Sequence, residues 1–176
     1  MAAMDAIRWL NAQEQRTWRS LLRAYSRIER LLDHDLQSRN GLSLVEYGIL
    51  VTLSESPESR MRMRLLADSV IVSKSRLSHQ IARLERAGFV RRETCEEDRR
   101  GAWAVLTDEG LALLRAAAPG HATLVRDRVF DRLTPEQTEQ LGAIMRALES
   151  DGGGAPPPGA GAPPPPPPPT GGGPPG

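Results

Sequence analysis

Between positions 73 and 83 the chain gathers side chains that can bind a polyanion. Ser73, Lys74, Ser75, Arg76, Ser78, His79 and Arg83 interleave with Leu77, Ile81 and Leu84, whose i, i+4, i+7 spacing marks the buried stripe of an amphipathic helix. Arg76, His79 and Arg83 are spaced three and four apart, so they form one row on the opposite side. An arginine near a helix start can contact guanine through two hydrogen bonds. Serine hydroxyls and the free backbone N–H groups of a first turn can hold phosphate. A second charged cluster, Glu96-Glu97-Asp98-Arg99-Arg100, follows shortly after. Taken singly, these groups can also be a solvated helix face and a polar hairpin tip.

The elements that must position them are legible on either side. A short helix from about Arg62 to Ser69 buries Met63, Leu66, Ala67 and Val70, and Ile71-Val72 make a turn. Ser73 caps the next helix, which stops at Gly88. Phe89 to Thr94 and Ala102 to Leu106 are strand-like runs around the charged loop, which predicts a hairpin. Thr107 starts another helix, with Asp108 and Glu109 favourably placed at the positive end of its dipole. Helix, turn, helix and hairpin in this order form a device that can place a helix in the major groove of duplex DNA and a loop in the minor groove beside it.

Longer helices flank this unit. Trp9 to Leu36 carries a seam of Trp18, Leu21, Tyr25, Ile28 and Leu32, and Asn40-Gly41 ends it. Ser43 and Glu46 form a capping box, and Leu42 and Tyr47 are placed as a hydrophobic staple, for a helix that runs to Ser56-Pro57. Pro119-Gly120 is expected to interrupt or kink the helix begun at Thr107, which resumes through Leu124, Val125, Val129 and Phe130. Thr134-Pro135-Glu136-Gln137 is a further capping box, ahead of Leu141, Ile144, Met145 and Leu148. The fold class is therefore mainly α: six helices with a small β-hairpin wing, a winged helix-turn-helix. The terminal helices are more apolar than such a unit needs, and a partner chain is the simplest cover for the surplus, which predicts a homodimer.

Composition bounds the rest. The 176 residues carry a net charge of +1, but residues 60–100 hold eleven Lys/Arg against six Asp/Glu, which concentrates basic charge on the proposed DNA-facing unit. Of 21 Gly and Pro in the 26 residues from Asp151 to Gly176, seven form the run Pro163 to Pro169, so the tail reads as disordered with polyproline II stretches. The single cysteine, Cys95, excludes an intrachain disulfide and fits a cytoplasmic location. No apolar run approaches a membrane span. His34, His79 and His121 show no metal-ligand spacing, and no nucleophile–base pair or phosphate-cradling glycine loop stands out. Neither an enzyme nor a cofactor is expected.

The strings Leu66-Ala67-Asp68, Ser73-Lys74-Ser75-Arg76-Leu77, Arg83-Leu84-Glu85-Arg86-Ala87-Gly88, Asp98-Arg99-Arg100 and Leu106-Thr107-Asp108-Glu109-Gly110, in this order and spacing, resemble the MarR (multiple antibiotic resistance regulator) family over residues 8–149. The resemblance implies a winged-helix domain over 1–150, with dimerisation segments at about 8–40 and 108–149 and a DNA-binding part at about 42–107. It further implies a repressor that binds an inverted repeat as a homodimer and is released by a small ligand. By the same resemblance Arg100 enters the minor groove, Asp98 braces its guanidinium, and Arg99 contacts phosphate. Trp18, Tyr25, His34 and Tyr47 are the residues that can line a cleft for a small aromatic effector, although aromatics at helical spacing also serve as plain core. Cys95 has the acidic neighbours Glu93, Glu96 and Glu97, which raise a thiol pKa, so it reads as structural rather than as a redox switch. Two rival functions remain: a winged-helix protein-interaction module, whose Pro-rich tail docks in SH3-like or WW-like grooves, and a nucleoid-type DNA binder of low specificity.

Overall fold

The computed structural model describes residues 7–70, 72–94 and 101–149. Among these, six helices and a three-stranded sheet follow one another. They are α1 (Ala12–Asn40), α2 (Leu44–Glu55), β1 (Arg60–Arg62), α3 (Met63–Ser69), α4 (Lys74–Arg86), β2 (Val90–Thr94), β3 (Ala102–Leu106), α5 (Asp108–Arg128) and α6 (Pro135–Glu149). The wing expected as a hairpin is part of a larger sheet, ordered β1-β3-β2 and antiparallel throughout. β1 escapes sequence reading because it has three residues, two of them arginine, and gains its identity from pairing Arg60 with Val105 and Arg62 with Trp103.

Local capping chemistry sets most of the boundaries. α1 begins at Ala12 rather than Trp9 because Asn11 caps it: the Asn11 side chain accepts from the N–H groups of Gln13 and Glu14, and Glu14 reaches back to the Asn11 N–H. It continues past Leu36 to Asn40 and ends where Gly41 adopts φ 68°, a left-handed conformation that glycine takes without a Cβ clash. The Ser43–Glu46 box at the start of α2 forms as expected, and so does the Thr134–Gln137 box before α6. Thr107 joins two elements, since its hydroxyl donates to the Gly88 carbonyl at 2.7 Å and accepts the Gly110 N–H at 3.0 Å.

The core sits under α2, which buries Ile49, Leu50 and Leu53 between α4, β3 and α5. Pro119 does not interrupt α5, which runs unbroken from Asp108 to Arg128. A proline inside a helix costs about 3 kcal/mol. Here Ala117 and Ala118 are buried immediately before it, and α5 packs along α1, so tertiary burial outweighs that cost. Just beyond, the half-buried His121 ring stacks on Tyr47 with centroids 4.4 Å apart. The C-terminal part of α1 contributes Leu32 and Leu36 to the body, whereas Trp18, Leu21, Leu22 and Tyr25 are exposed in the single chain. α6 buries no residue at all, and its Ile144 and Leu148 are exposed.

Two outcomes test this packing. A Cβ at Gly110 would lie 2.1 Å from the Phe89 carbonyl oxygen, so Gly110→Ala should destabilise by about 3 kcal/mol. Gly48→Ala, in the helical α2 with open space around the new methyl, should stabilise by about 0.5–1 kcal/mol; urea unfolding compares both with wild type. Burial holds the His121 pKa below its ordinary 6.5, partly opposed by Asp35. The unfolded chain therefore takes up a proton there before the folded one does, and stability falls as pH drops through the ordinary histidine range, from about 7 downward. The urea midpoint should show that decline, and His121→Phe should reduce it; an unreduced decline would assign it to other groups.

Candidate nucleic-acid interface

The face that can meet a polyanion is built on α4. Ser73 caps the helix by accepting the Arg76 N–H at 3.3 Å, and its hydroxyl lies 3.2 Å from that of Ser75. Leu77, Ile81 and Leu84 are buried, each contributing about 1.5–3 kcal/mol of apolar burial that seats the helix on the core. The opposite side leaves Ser73, Lys74, Ser75, Arg76, Ser78 and His79 exposed. Arg76 and Lys74 pair with no carboxylate among the described residues, so their charge is available to an incoming anion.

Arg83 departs from the expected row. Its Nη2 donates to the Gly41 carbonyl at 2.6 Å, and its Nε lies 3.0 Å from Glu46 Oε1. The guanidinium is thus turned back onto the protein, away from the exposed side that Arg76 and His79 share. The reason is a buried carboxylate on α2, which pattern-reading along α4 alone does not reveal.

The wing is tied to this helix by Arg92 of β2. Its Nη2 donates to the Ser78 carbonyl at 3.1 Å, its Nε is 3.5 Å from Glu85 Oε2, and its backbone N–H donates to Glu85 Oε1. On the sheet, Trp103 lies against two guanidinium groups, those of Arg60 at 5.0 Å and Arg62 at 5.3 Å from its ring centre. Glu93 pairs with Arg91 and faces Arg60 at 4.0 Å. Asp98, Arg99 and Arg100, together with Cys95, lie outside the described residues.

A cleft of about 460 Å³ opens between α3, the start of α4 and the base of the wing, lined by Arg62, Met63, Arg64, Lys74, Ser78 and Ala102 among others, with no carboxylate in its wall among the described residues. Arg62 and Arg64 were not singled out from sequence. Their signal was the alternation Arg60-x-Arg62-x-Arg64, which looks like general basic charge until β1 and α3 place it beside Lys74.

The four aromatic effector candidates do not meet in one protomer. Trp18, Tyr25 and His34 are exposed along α1, with Trp18 and His34 about 24 Å apart at the rise of an α-helix. Tyr47 is in the core against His121, and burial raises its phenol pKa. A separate cleft of about 710 Å³ beside α1 is lined by the five arginines Arg23, Arg27, Arg30, Arg128 and Arg132 together with apolar residues such as Leu22, Ile28 and Leu31. No group of three or more His, Cys, Asp or Glu among the described residues is arranged to hold a metal ion. No helix among them is long and apolar enough to cross a membrane.

A helix-turn-helix with a basic, solvent-facing second helix and a sheet-borne wing defines the winged-helix DNA-binding class. The MarR family profile matches residues 42–101, the stretch from the start of α2 to the base of the wing. The chain is 31% identical over 128 residues to the HTH-type transcriptional regulator PecS of Dickeya dadantii, covering 70% of this chain and 76% of that one. It is 30% identical over 120 residues to the HTH-type transcriptional repressor YetL of Bacillus subtilis, covering 68% and 71%. Among solved structures it resembles Sco3205, a MarR family transcriptional regulator from Streptomyces coelicolor solved in complex with DNA. That likeness has 51% identity and a TM-score of 0.81 over 86% of this chain and 94% of the other. The chain belongs to the MarR family of DNA-binding transcriptional regulators, which is not a family of enzymes.

The basic cleft generates one prediction. If Arg64 serves a phosphate, Arg64→Ala should weaken binding to all duplexes alike and lower the slope of log affinity against log salt by about one. A loss confined to a preferred sequence would give it a different role.

Proposed function

We propose that the protein is a repressor that binds an inverted-repeat operator as a homodimer and leaves it when a small aromatic ligand binds. The observation that carries the DNA-reading part is the exposed row on α4, with Arg76 and Lys74 unpaired among the described residues. Arg76 reads a base edge, His79 extends the same row, and Ser73, Lys74, Ser75 and Ser78 hold the backbone. Asp98, Arg99 and Arg100 act from the wing. Arg83, engaged on the protein side, supports α4 rather than touching the groove.

The homodimer rests on the exposed apolar faces of α1 and α6, which a second copy would cover. The dimerisation segments are 8–40 and 108–149. Repression is the role that the relative YetL, a transcriptional repressor, has in Bacillus subtilis. Trp18, Tyr25 and His34 offer stacking surface to an effector at the closed dimer interface, whereas Tyr47 does not join them because its ring is held by His121.

Selection of bound duplexes from a random pool at moderate salt tests the reading. Enrichment of an inverted repeat with half-sites about 34 Å apart is expected. Binding without enrichment would mean a nucleoid-type protein, and no binding at all would favour a protein-interaction module. Arg76→Ala should cost roughly 1–3 kcal/mol on the selected site and relax its base preference. An equal loss on random DNA would remove its base-reading role.

A further inference from the structure

Glu46 is fully buried, yet it occupies the N3 position of α2, where a capping glutamate is ordinarily at the surface. Its Oε2 accepts the Ser43 N–H at 2.8 Å and the Ser43 hydroxyl at 3.0 Å, which completes the cap. Its Oε1 receives no well-aligned hydrogen bond; what faces it is Arg83 Nε at 3.0 Å. The same guanidinium donates from Nη2 to the carbonyl of Gly41, the residue that ends α1. One planar group on the recognition helix therefore holds two different elements at once, the last turn of α1 and the first turn of α2.

We propose that the Glu46–Arg83–Gly41 linkage is a positioning device that fixes the orientation of α4 relative to α1, and so sets the half-site spacing the protein accepts. The proposal rests on the operator reading above. A guanidinium fork has rigid geometry, so α4 cannot roll or tilt against α1 without breaking one of the two contacts. In the proposed dimer α1 carries the interface. Any freedom between α1 and α4 therefore appears as freedom in the distance and angle between the two recognition helices. Arg83 is a positioning residue here, acting through the helix it belongs to.

Glu46 makes the idea testable because a fully buried side chain cannot touch DNA. Glu46→Gln keeps a side chain that can still cap α2 while removing the charge that orients Arg83. Arg83→Lys keeps the cation but cannot hold both partners in a fork. Each variant is titrated with the selected inverted repeat, with the same half-sites moved one base pair closer or further apart, and with random duplex, at several salt concentrations. Unfolding midpoint and dimer fraction are measured alongside.

Both variants should lose about tenfold in discrimination between correct and altered spacing. Random-duplex affinity and the salt slope should match wild type, in folded dimers. Unchanged discrimination in both variants would overturn the proposal. So would a drop of about one in the salt slope for a third, charge-removing variant, Arg83→Gln, with Glu46→Gln silent, because Arg83 would then be a phosphate ligand. Should Glu46→Gln fail to fold, Arg83→Lys decides alone. A wild-type protein with no spacing preference removes the operator reading itself, an outcome visible before any variant is made.

Discussion

A carboxylate removed from water must be compensated where it sits, and the burial of Glu46 imposes that requirement at the junction of three helices. Its cap contacts fix where α2 starts, and its remaining oxygen calls for a cation, which only a residue on a neighbouring element can supply. Arg83 does so from α4. The recognition helix is thereby seated by two unlike forces: the non-directional burial of Leu77, Ile81 and Leu84, which holds it against the core, and a directional ion pair, which fixes its rotation. Apolar packing alone would leave the exposed side of α4 free to turn; a guanidinium held at once by the Gly41 carbonyl and the Glu46 carboxylate does not.

Similar directional contacts recur along the route from α4 to the wing. Arg92 carries the position of Ser78 and Glu85 into β2, β2 pairs with β3, and Thr107 links the turn after α4 to the start of α5. Each is a short polar link between elements already close in sequence. Together they make α4 and the sheet one unit.

The local features of the fold were legible because they depend on residues near one another in the chain. Capping boxes at Ser43 and Thr134, the serine cap of α4, the glycine after it and the apolar stripe of Leu77, Ile81 and Leu84 all follow from spacing and type. Features decided by distant residues were not. β1 exists because β3 lies beside it, α5 passes through Pro119 because α1 and α2 pack against its neighbours, and Arg83 turns inward because Glu46 is 37 positions earlier in sequence. Asn11 is a different kind of omission. Its box with Glu14 was present in the local sequence but was overshadowed by the apolar Trp9 and Leu10. In the site, the exposed residues at the start of α4 were legible from amphipathicity, while Arg62 and Arg64 acquired a place only when α3 and the wing enclosed them.

The arrangement of the sheet has a consequence for the behaviour of the protein in a crowded solution. Its central strand, Ala-Trp-Ala-Val-Leu, is the kind of apolar, β-prone segment that templates aggregation when its edges are open. Here both of its edges are occupied, and the strands that occupy them present Arg60 and Arg62 on one side and Arg91, Arg92 and Glu93 on the other. A further strand approaching from another molecule would have to strip water from charged guanidinium groups along either rim. The charges that surround the wing therefore also limit the sheet to three strands, and protect the protein against growing into a fibre.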